Sequence, residues 1–215
     1  MREILIATLN QGKLRDFAAV AAEFGVSVAA VPGLATVPPA PEDAPTFEAN
    51  ACKKAEYYSR LAPHRYVMAD DSGLQVDALR GAPGVHSARY AARQAGRLGH
   101  STDEENNARL LQEMAEVPEE QRGANFVCSI AVARDGKLAA CFRGVAHGRL
   151  LRELRGNRGF GYDPLFFIPE ANATFAELSP EHKAKWSHRG QAFRKFLKWY
   201  AELPEEAQRA PGVAR

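Results

Sequence analysis

Cysteine is scarce in this sequence: Cys52, Cys128 and Cys141 are its three representatives in 215 residues, far apart and without a Cys-x-x-Cys spacing. An odd, scattered set argues against a disulfide framework or a Cys-rich zinc site, and it suits a reducing, cytoplasmic compartment. Long hydrophobic runs are lacking as well. No stretch approaches the roughly 18 apolar residues of a transmembrane helix, and the apolar run at residues 4–7 is too short for the core of a signal peptide. Nor does either charge dominate, with 28 Lys+Arg against 26 Asp+Glu and a net charge of +2. That balance supplies no broad field for a nucleic acid or a membrane surface. Any polyanion the chain binds must be small and met by a local cluster.

What is present is an ordinary globular balance, 46% hydrophobic and 25% charged. A chain of this length can bury roughly 70% of the surface it exposes when unfolded, so it needs no metal or disulfide staple. Residues 3–8 read as a buried strand, and Leu14, Phe17, Ala21 and Phe24 follow at helical spacing, with Gly25 at the C-cap position. A second strand at 27–31 completes a strand–helix–strand opening that points to an α/β fold with a partly parallel sheet. Five prolines between 32 and 45 make a loop, after which Thr46 caps a helix predicted to reach about residue 61. Residues 66–69 form a third buried strand, predicted to stop at Asp70-Asp71-Ser72-Gly73. Residues 91–101 read as a basic, flexible loop, and Ser101 or Thr102 caps a helix to about residue 115. Strands at 125–133 and 137–147 are joined by Arg134-Asp135-Gly136, a hairpin signal. Ser179-Pro180 begins a last helix expected to run unbroken to about residue 200. The expectation is one α/β domain over 1–203, two-lobed around a central mixed sheet with flanking helices, and a frayed tail at 204–215.

Several segments could carry chemistry. Thr8-Leu9-Asn10-Gln11-Gly12-Lys13 leads from a strand into a helix, where backbone N–H groups and a lysine suit a phosphate. It lacks the spacing of a P-loop, and taken alone a plain Asn10 cap with a solvated Lys13 is the better explanation. Asp70 and Asp71 lie at the carboxyl end of a strand, the edge where α/β sheets bind ligands. Two adjacent acids there suit a hard cation such as Mg²⁺, or else an Asx-type turn. In a regular strand the two would point to opposite faces. The glycine-rich run through Gly159-Phe160-Gly161-Tyr162-Asp163 pairs close backbone approach with rings that can stack on a base. In the last helix Arg189 falls on the apolar stripe of Trp186, Phe193, Phe196, Leu197 and Tyr200, and a cation there needs a partner. Ser187-His188-Arg189-Gly190 therefore reads as a site, whereas Arg194, Lys195 and Lys198 read as a solvated face.

These segments, with Gly81-Ala82-Pro83-Gly84 and Ser87-Ala88-Arg89-Tyr90, occur in one order that closely resembles the inosine/xanthosine triphosphate pyrophosphatase family over about residues 3–200. The resemblance implies an elongated two-lobed α/β fold with a cleft between the lobes, usually a homodimer. It implies Mg²⁺-dependent hydrolysis of ITP, dITP or XTP between the α and β phosphates, giving the monophosphate and pyrophosphate. By it Asp71 is the catalytic carboxylate, binding metal or activating water, and Glu42 is a second metal-binding acid. Thr8 to Lys13, with Lys54 and Lys183, would hold the phosphates. Ser72, Phe160, Gly161, Tyr162, Asp163, His188 and Arg189 would surround sugar and base. Two positions depart from the family pattern: Leu9 replaces a small residue, and Ala49 replaces a glutamate that would complete a capping box with Thr46. A non-catalytic nucleotide binder is the competing class, but clustered carboxylates would repel a polyanion unless a metal intervened. A nucleic-acid module built on the basic last helix is disfavoured by the net charge.

Overall fold

The computed structural model describes residues 2–204, so the tail expected to fray lies, from residue 205 onward, outside the described residues. In chain order the elements are β1 (Arg2–Ile6), α1 (Gln11–Glu23), β2 (Val26–Ala30), α2 (Phe47–Tyr58), β3 (Tyr66–Val76), α3 (Tyr90–Gln94) and α4 (Asp103–Glu113). They continue with β4 (Gly123–Arg134), β5 (Lys137–Leu150), β6 (Phe166–Ile168), β7 (Ala173–Thr174), α5 (Pro180–Trp186) and α6 (His188–Glu202). Seven strands form one mixed sheet in the order β2-β1-β3-β4-β5-β6-β7. β1 runs parallel to β2 and β3, while β6 pairs antiparallel with β5 and β7.

Local signals explain most element ends. The Asn10 side chain accepts from the Lys13 N–H at the start of α1, and Thr46 does the same for Ala49 at the start of α2. Thr102 and Glu105 complete a reciprocal capping box on α4. Asp135 and Gly136, with φ of +52° and +77°, make the tight turn between β4 and β5. The acidic pair does not end the third strand: β3 runs on to Val76. Residues 91–101 are not all loop, because α3 occupies part of them. The last helix is broken at Ser187, whose extended backbone (φ −71°, ψ 147°) separates α5 from α6.

The chain forms two compact units, one from Met1–Asp71, Cys128–Gly144 and His188–Arg215, the other from Ser72–Val127 and Val145–Ser187. In the first, α2 covers an apolar layer of small residues that includes Val67 and Ala69 of β3 and Ala51 and Ala55 of α2. Elsewhere in this unit Phe17 of α1 meets Phe193 of α6 edge-on at 5.0 Å, and Phe193 stacks on Phe196 at 5.4 Å. The second unit has a larger-residue core built around Leu74, Leu110, Met114, Phe126, Phe166 and Phe175. Arg122, fully buried in it, donates to the carbonyls of Met114, Val117, Leu150 and Leu151 and so satisfies four backbone acceptors at once. Among the described residues no helix is long and apolar enough to cross a membrane.

Candidate active site

Strand alternation sets the chemistry of the first unit. Val67, Ala69 and Asp71 share the face of β3 that α2 covers, and Met68 and Asp70 point the other way. Each aspartate is met by its own cations. Asp70 binds the Lys13 ammonium through both oxygens, at 3.0 and 2.9 Å, and lies 3.7 Å from Nε of Arg189. Burial would raise its carboxyl, but Lys13, Arg189 and Lys54 outweigh that and bring it to about 2, so it is ionised at any physiological pH. Arg189 in turn donates to Asp16 of α1 at 2.9 Å.

Asp71 is held by α2. Nζ of Lys54 lies 3.1 Å from Oδ1 of Asp71 and 3.1 Å from Oε1 of Glu42, and the Asn50 amide donates to Oδ2 of Asp71 at 3.0 Å. Burial pushes the Asp71 carboxyl above its ordinary value; Lys54, Lys13 and the Asn50 bond oppose the shift without cancelling it. For Lys54 burial would lower the ammonium, yet Asp71, Glu42 and Asp70 keep it raised and charged. Asn50 also accepts from the Ala44 N–H at 2.9 Å, and Tyr58 accepts from that of Ala40 at 2.9 Å. One helix therefore fixes both the proline-rich loop carrying Glu42 and the carboxylate of Asp71. A recess of about 300 Å³ opens here, lined by Thr8, Leu9, Lys13, Glu42, Lys54 and Asp70 among others. Leu9 is exposed at its rim, and Asn10 and Gln11 are exposed at the head of α1 above the buried Gly12.

The remaining candidates fall in the second unit, apart from His188, which is buried at the start of α6 in the first. Lys183 of α5 donates to Oδ2 of Asp163 at 2.7 Å, and its ammonium lies 4.9 Å from the centre of the Phe160 ring. The same carboxylate oxygen accepts from the Phe160 N–H at 2.9 Å, so Asp163 joins ring, loop and cation. Tyr162 is spent on structure: it is buried and its hydroxyl donates to the Ser87 carbonyl at 2.8 Å. Gly161 is clamped from α4, its N–H donating to Asp103 at 2.7 Å and its carbonyl accepting from Asn107 at 2.9 Å. A second recess of about 310 Å³ is bordered by Phe160, Gly161, Asp103 and Asn107. Ser72 is half-buried in β3, and Gly73 after it has no room for a side chain: a Cβ would strike Ser87 and the carbonyl of Gly84. That close approach explains two of the sequence motifs as packing.

Asp16, Asn50, Asp103 and Asn107 escaped the reading of the sequence. For Asn50 a signal existed, since it and Lys54 sit among Phe47, Ala51, Ala55 and Tyr58 on the buried side of α2. Nothing local marks the other three, whose partners lie 54 to 173 residues away. Of the cations expected to be solvated, Arg194 pairs with Glu23 and Lys195 donates to the Arg143 carbonyl.

Among the described residues no three His, Cys, Asp or Glu side chains converge as a ligand set. Two carboxylates, Glu42 and Asp71, do converge on one ammonium. Such a pair of oxygen donors fits a magnesium ion that keeps water and takes its remaining ligands from phosphate.

The chain is similar to known proteins along nearly its whole length. The chain is 46% identical over 203 residues to the dITP/XTP pyrophosphatase of Geobacillus kaustophilus, covering 94% of this chain and 96% of that one. It is 45% identical over 192 residues to the dITP/XTP pyrophosphatase of Geobacter sulfurreducens, covering 89% and 93%. Its fold matches the Ham1 protein of Staphylococcus aureus with a TM-score of 0.76 at 36% identity, covering 93% of this chain and 98% of that one. A HAM1 protein from Coxiella burnetii matches with 0.79 at 35% identity, covering 94% and 100%. With the family profile matching residues 4–199 and relatives this similar along nearly their whole length, the chain belongs to the Ham1 family.

Proposed function

We propose that the protein hydrolyses the non-standard purine nucleoside triphosphates ITP, dITP and XTP between the α and β phosphates, releasing the monophosphate and pyrophosphate. The observation that carries this reading is the Lys54 ammonium pairing with both Glu42 and Asp71, at a recess that Lys13, Glu42, Lys54 and Asp70 line. A binder of a bare polyanion would gain nothing from buried carboxylates placed there, whereas a hydrolase acting on a magnesium-bound triphosphate needs them. The names of the relatives support the substrate class.

In this reading Glu42 and Asp71 would hold Mg²⁺, which when bound neutralises charge on the triphosphate. Lys13 and Lys54, with the N–H groups at the head of α1, bind phosphate oxygens. Asp71, held by Asn50 at Oδ2 and by Lys54 at Oδ1, takes the proton of the attacking water. Burial raises its basicity above that of an ordinary carboxylate, the direction that favours proton abstraction. In the second unit the Phe160 ring offers a stacking face, and Lys183 with Asp163 fixes that ring's loop. A homodimer belongs to the same reading through the family resemblance, and a cytoplasmic location through the cysteine usage.

The deciding experiment is a panel of nucleoside triphosphates with and without Mg²⁺, scored for pyrophosphate against orthophosphate. Pyrophosphate from ITP and XTP, abolished by a chelator and weak from ATP, is the expected result. Orthophosphate release or equal turnover of ATP would overturn the assignment. Light scattering of the purified protein tests the dimer.

A further inference from the structure

The cysteines, dismissed as a disulfide framework by their spacing, include a pair that the fold brings together. Cys52 of α2 and Cys141 of β5 are 89 residues apart in sequence, yet their Sγ atoms are 3.5 Å apart, both as free thiols. Cys141 is exposed and Cys52 half-buried, whereas Cys128 is buried. A small oxidant can therefore reach the pair and not the third thiol. Closing the pair to a bond of about 2.05 Å asks the sulfurs to approach by about 1.5 Å, within reach of side-chain rotation.

We propose that Cys52 and Cys141 form a reversible intramolecular disulfide when the protein meets a hydroperoxide, stapling α2 to β5. The chemistry balances without any other reactant. The thiolate of one cysteine attacks the peroxide oxygen, giving a sulfenic acid and releasing an alcohol or water. The second sulfur then displaces the sulfenic hydroxyl as water, so two thiols are oxidised and one peroxide is reduced. Cys52 is the better first nucleophile: burial raises its thiol, but the hydrogen bond from Cys141 eases its ionisation. Burial and Cys52 itself push Cys141 up to about 12, which suits the role of the second, resolving thiol. Glu48 and Glu56, one turn to either side of Cys52, also disfavour both thiolates. The bond therefore forms slowly, as a response to sustained oxidation. Its target is the helix whose Asn50 and Lys54 hold Asp71, on either side of Cys52. The inference does not depend on which nucleotide the protein hydrolyses.

The test is to expose the purified full-length protein to hydrogen peroxide, alkylate remaining thiols under denaturing, non-reducing conditions, and map the peptides. The expected product is a monomeric chain that has lost two hydrogens, with a Cys52–Cys141 linked peptide, an alkylated Cys128, and full reversal by dithiothreitol. Cys128→Ser should leave the product unchanged, and the exposed Cys141→Ser should abolish it. A cross-link that closes so long a loop should also raise Tm by roughly 5–10 °C. Sulfinic acids in place of the linked peptide, a Cys141–Cys141 bond between two chains, or a lower Tm after oxidation would each overturn the proposal.

Discussion

At the scale of single residues, buried charges are the costly element, and each one named above has a partner. Asp71 carries the sharpest prediction. Asp71→Asn keeps the shape and leaves Lys54 paired with Glu42, so the chain should still fold. It removes the group proposed to hold the metal and take the proton, and kcat for ITP should fall about 10²- to 10⁴-fold. Pyrophosphate release beside a far-UV circular dichroism spectrum measures both halves, and near wild-type turnover would sink the role given to Asp71. Arg189 and Arg194 make a second, internally controlled comparison on one helix. Arg189→Ala strips a partner from Asp16 and from fully buried Asp70, and should cost about 3 kcal/mol in urea unfolding. Arg194→Ala breaks a pair that solvent already reaches, with Glu23, and should cost less than about 1 kcal/mol. Equal losses would mean that burial is not what decides the value of these pairs.

At the scale of elements, close backbone approach matters as much as side-chain packing. Gly144 of β5 has no room for a side chain, because a Cβ there would overlap the His188 carbonyl and the Ala192 nitrogen of α6. Neither is the yielding end of a flexible side chain. Gly144→Ala should thus force α6 outward and cost about 1–3 kcal/mol or more, read as a lower urea midpoint with an unchanged slope. The sequence pointed to a close approach in this region through Gly190, two residues along α6 from both His188 and Ala192. That near miss is typical of what was legible. Elements governed by local periodicity and caps, such as α1, α2, α4 and the β4–β5 hairpin, could be read from neighbours in the chain. β3 could not, because Asp70 and Asp71 resemble a turn until their distant cations are known. With Lys13, Arg189 and Lys54 in place, an acidic pair can sit inside a strand that continues to Val76. The break at Ser187 carries no glycine or proline to announce it. At the site the chemistry-bearing types were visible as single residues, while their positioning partners Asp16, Asn50, Asp103 and Asn107 come from remote segments.

At the scale of the whole molecule, a net charge of +2 conceals cations already matched to carboxylates: Lys13 with Asp70, Lys54 with Asp71 and Glu42, Lys183 with Asp163. These carboxylate partners restrict the rotamers of the lysines, so ordering them adds little to the cost of binding a phosphate. Binding should then appear mainly as stabilisation by mass action. The Asp71→Asn variant, expected to be slow in turnover, allows the measurement with intact ITP. At 100 times its Kd, ITP should add about 2.7 kcal/mol, which for a chain of this size raises Tm by roughly 5–10 °C. If the base is read on binding, ATP at the same concentration should give a clearly smaller rise, and Lys183→Met should shrink the ITP rise toward it by loosening the Phe160 loop. Equal rises for the two nucleotides would place discrimination after binding, in the transition state alone, and would remove the Phe160–Asp163–Lys183 group from ground-state recognition.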